Sequence, residues 1–251
     1  MRTIAFITCS GANEFVDIEQ IAALSKKYPV IEFGIQVSGK KCAANSARYW
    51  WLKALNNYVV EHKLPINLSL HLNQDWAEGF CDGDIPIPLL ELLMMRDYEN
   101  KLLFRRVQLN FKIGREKTPN IETLLKSVII YSENERRFIL PYNSSNEKII
   151  KQLYFAGLSF DCLYDSSHGE GLCAETINAP VFVNNEILQG YAGGLSPDNI
   201  RTELDKIAKV VPENRAFYID AEGKLKDNNG ILSIEKCDKF ASNALDWLKT
   251  K

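Results

Sequence analysis

Two residues in this chain have the type and placement for proton transfer. Cys9 closes the apolar run of residues 3–9, and a thiolate at such a strand end could remove a proton from carbon. Asp165 closes a second run, Leu163-Tyr164-Asp165, where a carboxyl could protonate a ring oxygen. Each has an ordinary alternative, a small buried apolar residue for Cys9 and a loop cap for Asp165. Two glycine turns offer anion chemistry. Gly193-Gly194 precedes Ser196-Pro197-Asp198-Asn199, which reads as an N-cap with proline at the first helical position, and Asp220-Ala221-Glu222-Gly223 supplies a second turn. Bare backbone amides at both could approach a phosphate, although either glycine could simply serve a tight turn. His168, among the polar residues 165–171, reads as a solvated loop histidine ahead of a catalytic one, and His62 and His71 are weaker candidates.

These residues share one site only if the runs that carry them are parallel strands of one closed sheet. Strand-length apolar runs alternate with amphipathic helical stretches along the whole chain, the pattern of repeated βα units. Strands are expected at residues 3–9, 30–37, 66–72, 104–109, 138–142, 161–164, up to about 195, and 216–220. Asp17 caps the first helix in this reading, Asn143 or Ser144 the one after the fifth strand, and a helix is expected from near Pro119. Residues 76–85 read as a long loop before Pro86-Ile87-Pro88, and a final helix spans 233–248. Eight such units make a single (β/α)8 TIM barrel over residues 1–251, the α/β fold whose site lies at the C-terminal ends of the strands, with phosphate after strands seven and eight.

Composition narrows the function classes. The 251 residues include 46% hydrophobic and 25% charged residues with a formal charge of -2, so no net basic field favours nucleic acid. No apolar run approaches the roughly 20 residues that span a bilayer. The N-terminus lacks the apolar core and cleavage site of a signal peptide, and the expected location is the cytoplasm. The six cysteines follow neither a metal-ligand spacing nor a secreted disulfide framework, so reduced thiols are expected, with no metal and no cofactor. Trp50 and Trp51 could be core or interface, which leaves monomer and homodimer both open.

The second half of the chain resembles the phosphoribosylanthranilate isomerase family. Arg106-Val107-Gln108-Leu109-Asn110 resembles the family's V-Q-L-H-G, and Leu163-Tyr164-Asp165 followed by Gly169-Glu170-Gly171 resembles its L-L-D and G-G-x-G segments. Residues 193–200 resemble G-G-L-x-P-E-N-V, and Ile219-Asp220 through Gly223 with Lys226-Asp227 resemble D-V-S-S-G-V-E and the K-D after it. The resemblance implies a ribulose-phosphate-binding barrel and an Amadori rearrangement of an aminoaldose phosphate, with Cys9 as base and Asp165 as acid. It also implies substrate contacts at Lys40, Gly169, Gly171, Gly193, Gly194, Asp220, Glu222 and Gly223, and a phosphorylated sugar as partner. The family's K-I-C-G-I-T corresponds to Phe6-Ile7-Thr8-Cys9-Ser10-Gly11, so a second register places Thr8 at the base position. Lys40 or Lys41 stands where the family has an arginine, and Ala221-Glu222 replaces its serine pair. Another phosphosugar epimerase or lyase, or a catalytically silent phosphosugar-binding barrel, are the competing readings.

Overall fold

Parallel strands cannot be joined by tight hairpins, so each must hand over to a helix that packs back onto the sheet. The computed structural model describes residues 2–111, 120–132, 136–143, 145–165, 177–182 and 186–250. Its strands β1 (Thr3–Ala12), β2 (Ile31–Val37), β3 (Asn67–Leu72), β4 (Phe104–Leu109), β5 (Arg137–Tyr142), β6 (Phe160–Asp165), β7 (Gln189–Ala192) and β8 (Ala216–Ala221) close into a barrel in sequence order, every pair parallel. Around it lie α1 (Ile18–Lys27), α2 (Ala47–Glu61), α3 (Asp75–Asp82), α4 (Ile87–Leu93), α5 (Ile121–Tyr131), α6 (Glu147–Phe155), α7 (Ile200–Val210) and α8 (Ile234–Lys249). The expected (β/α)8 barrel is the observed fold. Among the described residues, no helix is long and apolar enough to cross a membrane.

Most of the expected elements agree to within a residue or two, and the differences have local causes. Residues 75–82, expected within a loop, form α3: Trp76, Ala77, Phe80 and Cys81 are buried at helical spacing, and Gly83 ends the helix in a left-handed conformation. Asn146, not Asn143, is the residue that precedes α6, and Asn143 instead accepts from the amides of Ser145 and Asn146. Pro119 and Ser144 lie outside the described residues. Asp17 caps α1 as expected, accepting from the Glu19 amide. Ser196 Oγ accepts from the Asn199 amide at 3.2 Å and so caps the turn that opens into α7. Trp50 is exposed, while Trp51 is half-buried and donates from Nε1 to the Val16 carbonyl.

The layer between sheet and helices is mainly apolar, and the barrel interior is not. Phe6, Ile139, Leu163 and Tyr218 fill one side of the interior. Against this cluster, Arg106 is clasped by two carboxylates: Nη1 donates to Glu32 at 2.8 Å, and Nη2 lies 3.4 Å from Asp161. Its guanidinium plane is sandwiched between the rings of Phe6 and Tyr218, 4.4 and 4.2 Å from their centroids. Thr8 donates to the same Glu32 oxygen, and Arg137 donates to Asp161 from Nε and Nη2. Burial opposes the charge on Arg106, but Glu32, Tyr218, Asp161 and Asp220 more than offset it and hold the guanidinium protonated. Tyr218 reaches this position because Gly190 faces it; a Cβ there would lie 2.0 Å from the ring.

Removing one member of a buried charge cluster strands the others, which is far costlier than never having built it. Arg106→Met is therefore expected to lower the unfolding free energy by about 3–5 kcal/mol in urea titrations. A loss below about 1 kcal/mol would show that Glu32 and Asp161 do not need the guanidinium.

Candidate active site

The direction in which β1 presents its side chains decides what reaches the mouth. Thr8 bonds Glu32 inside the barrel and Ser10 bonds Asp220, so even-numbered residues of the strand point inward. Cys9 lies between them and points into the helix layer, fully buried, with Cys237 of α8 as its neighbouring thiol. Burial first, and then the Cys237 contact, push the Cys9 thiol well above its usual range. The expectation that Cys9 opens into the mouth is therefore corrected: a strand has period two, and the strand continues three residues beyond it. Thr8, in the other register, is inside the barrel but engaged with Glu32.

Ser10 takes the place at the mouth. Its Oγ donates to Asp220 Oδ1 at 2.6 Å, joining the ends of β1 and β8. Gly34 on β2 makes room for this, since a Cβ there would lie 2.6 Å from Ser10 Oγ and 2.7 Å from His71 Cε1. Burial pushes the Asp220 carboxyl up to about 7; the Ser10 hydrogen bond and Arg106 act against that shift, while Glu222 and Glu32 add to it. The buried His71 ring contacts Ser69 Oγ at 3.0 Å, and burial pulls its pKa down to about 4, so it is a neutral imidazole at neutral pH.

These groups line a cavity of about 490 Å³ at the C-terminal ends of the strands. Asp165 ends β6 half-buried on its wall, and Gly193 and Gly194, both with positive φ of 101° and 66°, form the turn after β7. Gly223, also on the wall, opens a one-turn 3-10 helix, Gly223–Leu225. Glu222 is held over the mouth from two sides, accepting from Gln36 Nε2 at 2.7 Å and Lys226 Nζ at 2.6 Å. Lys41, not Lys40, reaches this cluster: its Nζ is 3.4 Å from Gln36 Oε1, while Lys40 is exposed and does not line the cavity. Gly169, Gly171 and His168 lie outside the described residues. The structure thus gathers Asp165, Gly193, Gly194, Asp220, Glu222 and Gly223, and leaves out Cys9 and Lys40.

Sequence reasoning missed Ser10, Gln36 and Gln108 and underrated His71. Alternation places them only once one inward residue is fixed: with Thr8 inward Ser10 must be inward, and in the paired registers Ser10 faces Gly34 while Gln36 faces His71 and His71 faces Gln108.

No family model matches the chain, and no curated protein matches it in sequence. Solved structures match in fold. Phosphoribosyl anthranilate isomerase from Thermotoga maritima is 14% identical with a TM-score of 0.56, covering 97% of this chain and 100% of that one. The same enzyme in complex with reduced 1-(o-carboxyphenylamino)-1-deoxyribulose 5-phosphate is 15% identical with a TM-score of 0.56 and the same coverage. KGPDC from Streptococcus mutans is 10% identical with a TM-score of 0.50, covering 97% of this chain and 99% of that one. At such identities the likeness is one of fold.

Asp220 and His71 should imprint opposite pH dependences on stability. The folded Asp220 keeps its proton up to about 7 against an ordinary 3.8, so its contribution is full below about 4 and is lost as pH rises through about 7. The folded His71 stays neutral down to about 4 against an ordinary 6.5, so its contribution is present above 6.5 and is lost as pH falls through about 4. Between these limits each slope is about 1.4 kcal/mol per pH unit, with opposite sign. In urea unfolding, Asp220→Asn should become more stable as pH rises from 4 to 6.5, and His71→Gln less stable over the same range. Parallel curves for both variants and the wild type would mean that neither group titrates as its burial demands.

Proposed function

We propose that this chain is a single-domain, cytoplasmic isomerase of the aldose–ketose type, acting on a phosphorylated aminosugar by an Amadori rearrangement. The observation that carries this reading is the Ser10–Asp220 pair: a buried carboxyl with a pKa about 7, in one cavity with Asp165 and with the two glycine turns. A general base is most effective when its pKa lies near the working pH. Asp165 delivers a proton to the ring oxygen, which opens the sugar. Asp220 then removes the C2 proton, and the electron pair left on C2 forms the enolamine, which tautomerises to the aminoketose. Ser10 holds the Asp220 carboxylate in place through its hydroxyl.

The phosphate lies against the backbone amides of Gly193, Gly194 and Gly223, with Lys224 on the same wall. Lys226 neutralises Glu222, which would otherwise repel it. The base role thus moves from the thiol expected at the end of the first strand to the carboxyl at the end of the eighth. A second reading, a barrel that binds a phosphosugar without converting it, is favoured by one observation, the burial of Cys9 in the helix layer.

The test is turnover of freshly generated phosphoribosylanthranilate, followed by loss of its fluorescence. Wild type should convert it, Cys9→Ala should keep the activity, and Asp165→Asn and Asp220→Asn should each lower kcat by at least about 100-fold. In wild type kcat should rise with pH towards a plateau above about 7, as Asp220 ionises. No turnover by a folded wild type that still binds ribose 5-phosphate would favour the second reading.

A further inference from the structure

Opposite the glycine turns, the β3–β4 side of the mouth carries a chain of side-chain amides with a fixed direction. Asn73 Nδ2 donates to the backbone carbonyl of His71 at 3.1 Å, Asn110 Nδ2 donates to Asn73 Oδ1 at 3.0 Å, and Gln108 Nε2 donates to Asn110 Oδ1 at 2.7 Å. A backbone carbonyl can only accept. Asn73 must therefore present its nitrogen to it and its oxygen to Asn110; Asn110 must in turn donate to Asn73 and accept from Gln108. The orientation of all three amides follows from the His71 carbonyl, and flipping any one of them would set two donors or two acceptors face to face.

The free end of the chain is thereby an acceptor. Gln108 is 7% exposed, lines the cavity, and its Oε1 has no hydrogen-bond partner. Among the described residues it is the one cavity-lining side chain with a buried unpartnered atom. A buried acceptor left without a donor costs free energy, and a ligand that brings a donor recovers it. The same atom disfavours an ionised oxygen, which has no proton to offer and would meet a carbonyl dipole of like sign.

We propose that Gln108 Oε1 is a specificity-determining acceptor for a hydroxyl or N–H of the ligand, so that the β3–β4 wall takes the neutral, hydroxylated part of the molecule while its anion lies at the β7–β8 turns. This deepens the phosphosugar reading and rests on it. It fixes the orientation of the ligand across the mouth and selects a polyol or aminosugar phosphate over an anion that lacks donors.

The experiment compares D-ribose 5-phosphate with inorganic phosphate by calorimetric titration of wild type and Gln108→Met, a change that keeps the side-chain length and removes the acceptor. Wild type should bind the sugar phosphate more tightly than phosphate, and the substitution should weaken the sugar phosphate about tenfold or more while changing phosphate by less than about twofold. In wild type the Gln108 13Cδ resonance should move downfield on adding the sugar phosphate and stay in place with phosphate, a readout that survives even if the variant does not fold. Sugar-phosphate binding that leaves that resonance and the Gln108→Met affinity unchanged would overturn the assignment of Gln108 alone, and would mean that a resident water satisfies Oε1. Binding of neither probe by wild type would overturn the phosphosugar reading and the assignment together.

Discussion

The interior of this barrel is organised around one guanidinium. Arg106 stands where such barrels commonly hold branched aliphatic side chains, and it is tolerable there only because Glu32 and Asp161 meet its charge and Phe6 and Tyr218 cover both faces of its plane. Those partners come from β1, β2, β6 and β8, so satisfying one side chain on β4 ties together strands from all around the barrel. Gly190 is part of the same arrangement, since any side chain there would displace the Tyr218 ring. An apolar core of equal volume could be as stable, whereas removal of any one member of the present cluster leaves the others buried without their partners.

The charge cluster also sets the electrostatics of the layer above it. Glu32 adds to the upward shift of Asp220 and Arg106 works against it, while Arg106 helps keep His71 neutral. Burial supplies the dominant push in both cases, and the cluster trims it. The mouth therefore presents a carboxyl poised near neutrality beside an uncharged imidazole, an arrangement suited to passing protons to and from a polar ligand without placing a fixed charge at the reacting atoms.

Much of the architecture was legible because period-two and period-3.6 patterns survive wherever an element is half-buried. β4 has the bounds its sequence predicts, and β8 and the final helix lie within a residue of theirs, whereas β1 runs three residues past its expected end and β7 stops about three short of it. α3 was overlooked because a helix of eight residues, with Gly79 inside it and Gly83 at its end, carries loop-like composition. The site was harder to read for a different reason. A parallel barrel strand is buried on both faces, so residues 3–9 are almost uniformly apolar and give no sign of which parity faces inward. Only the contacts of Thr8 with Glu32 and of Ser10 with Asp220 resolve it, and they send Cys9 outward. Asp165, Asp220 and the Gly193-Gly194 turn were found because they sit at strand ends next to punctuating residues, which composition does reveal.

A buried carboxyl at the end of β8 has a consequence for the surrounding charges. A mouth that already holds Asp165 and Glu222 gains a third acidic group in Asp220, and a phosphate dianion would meet strong repulsion if all three were ionised and bare. The structure removes most of that penalty in three ways. Burial keeps Asp220 largely protonated until about neutral pH; Lys226 and Gln36 bind both oxygens of Glu222; and Lys224 stands on the wall beside the glycine turns. Ala221-Glu222, the least familiar feature of the eighth turn, is then not an obstacle to an anion. With its carboxylate occupied by Lys226 and Gln36, Glu222 braces β8 against β2 across β1, next to the Gly223 turn on the cavity wall.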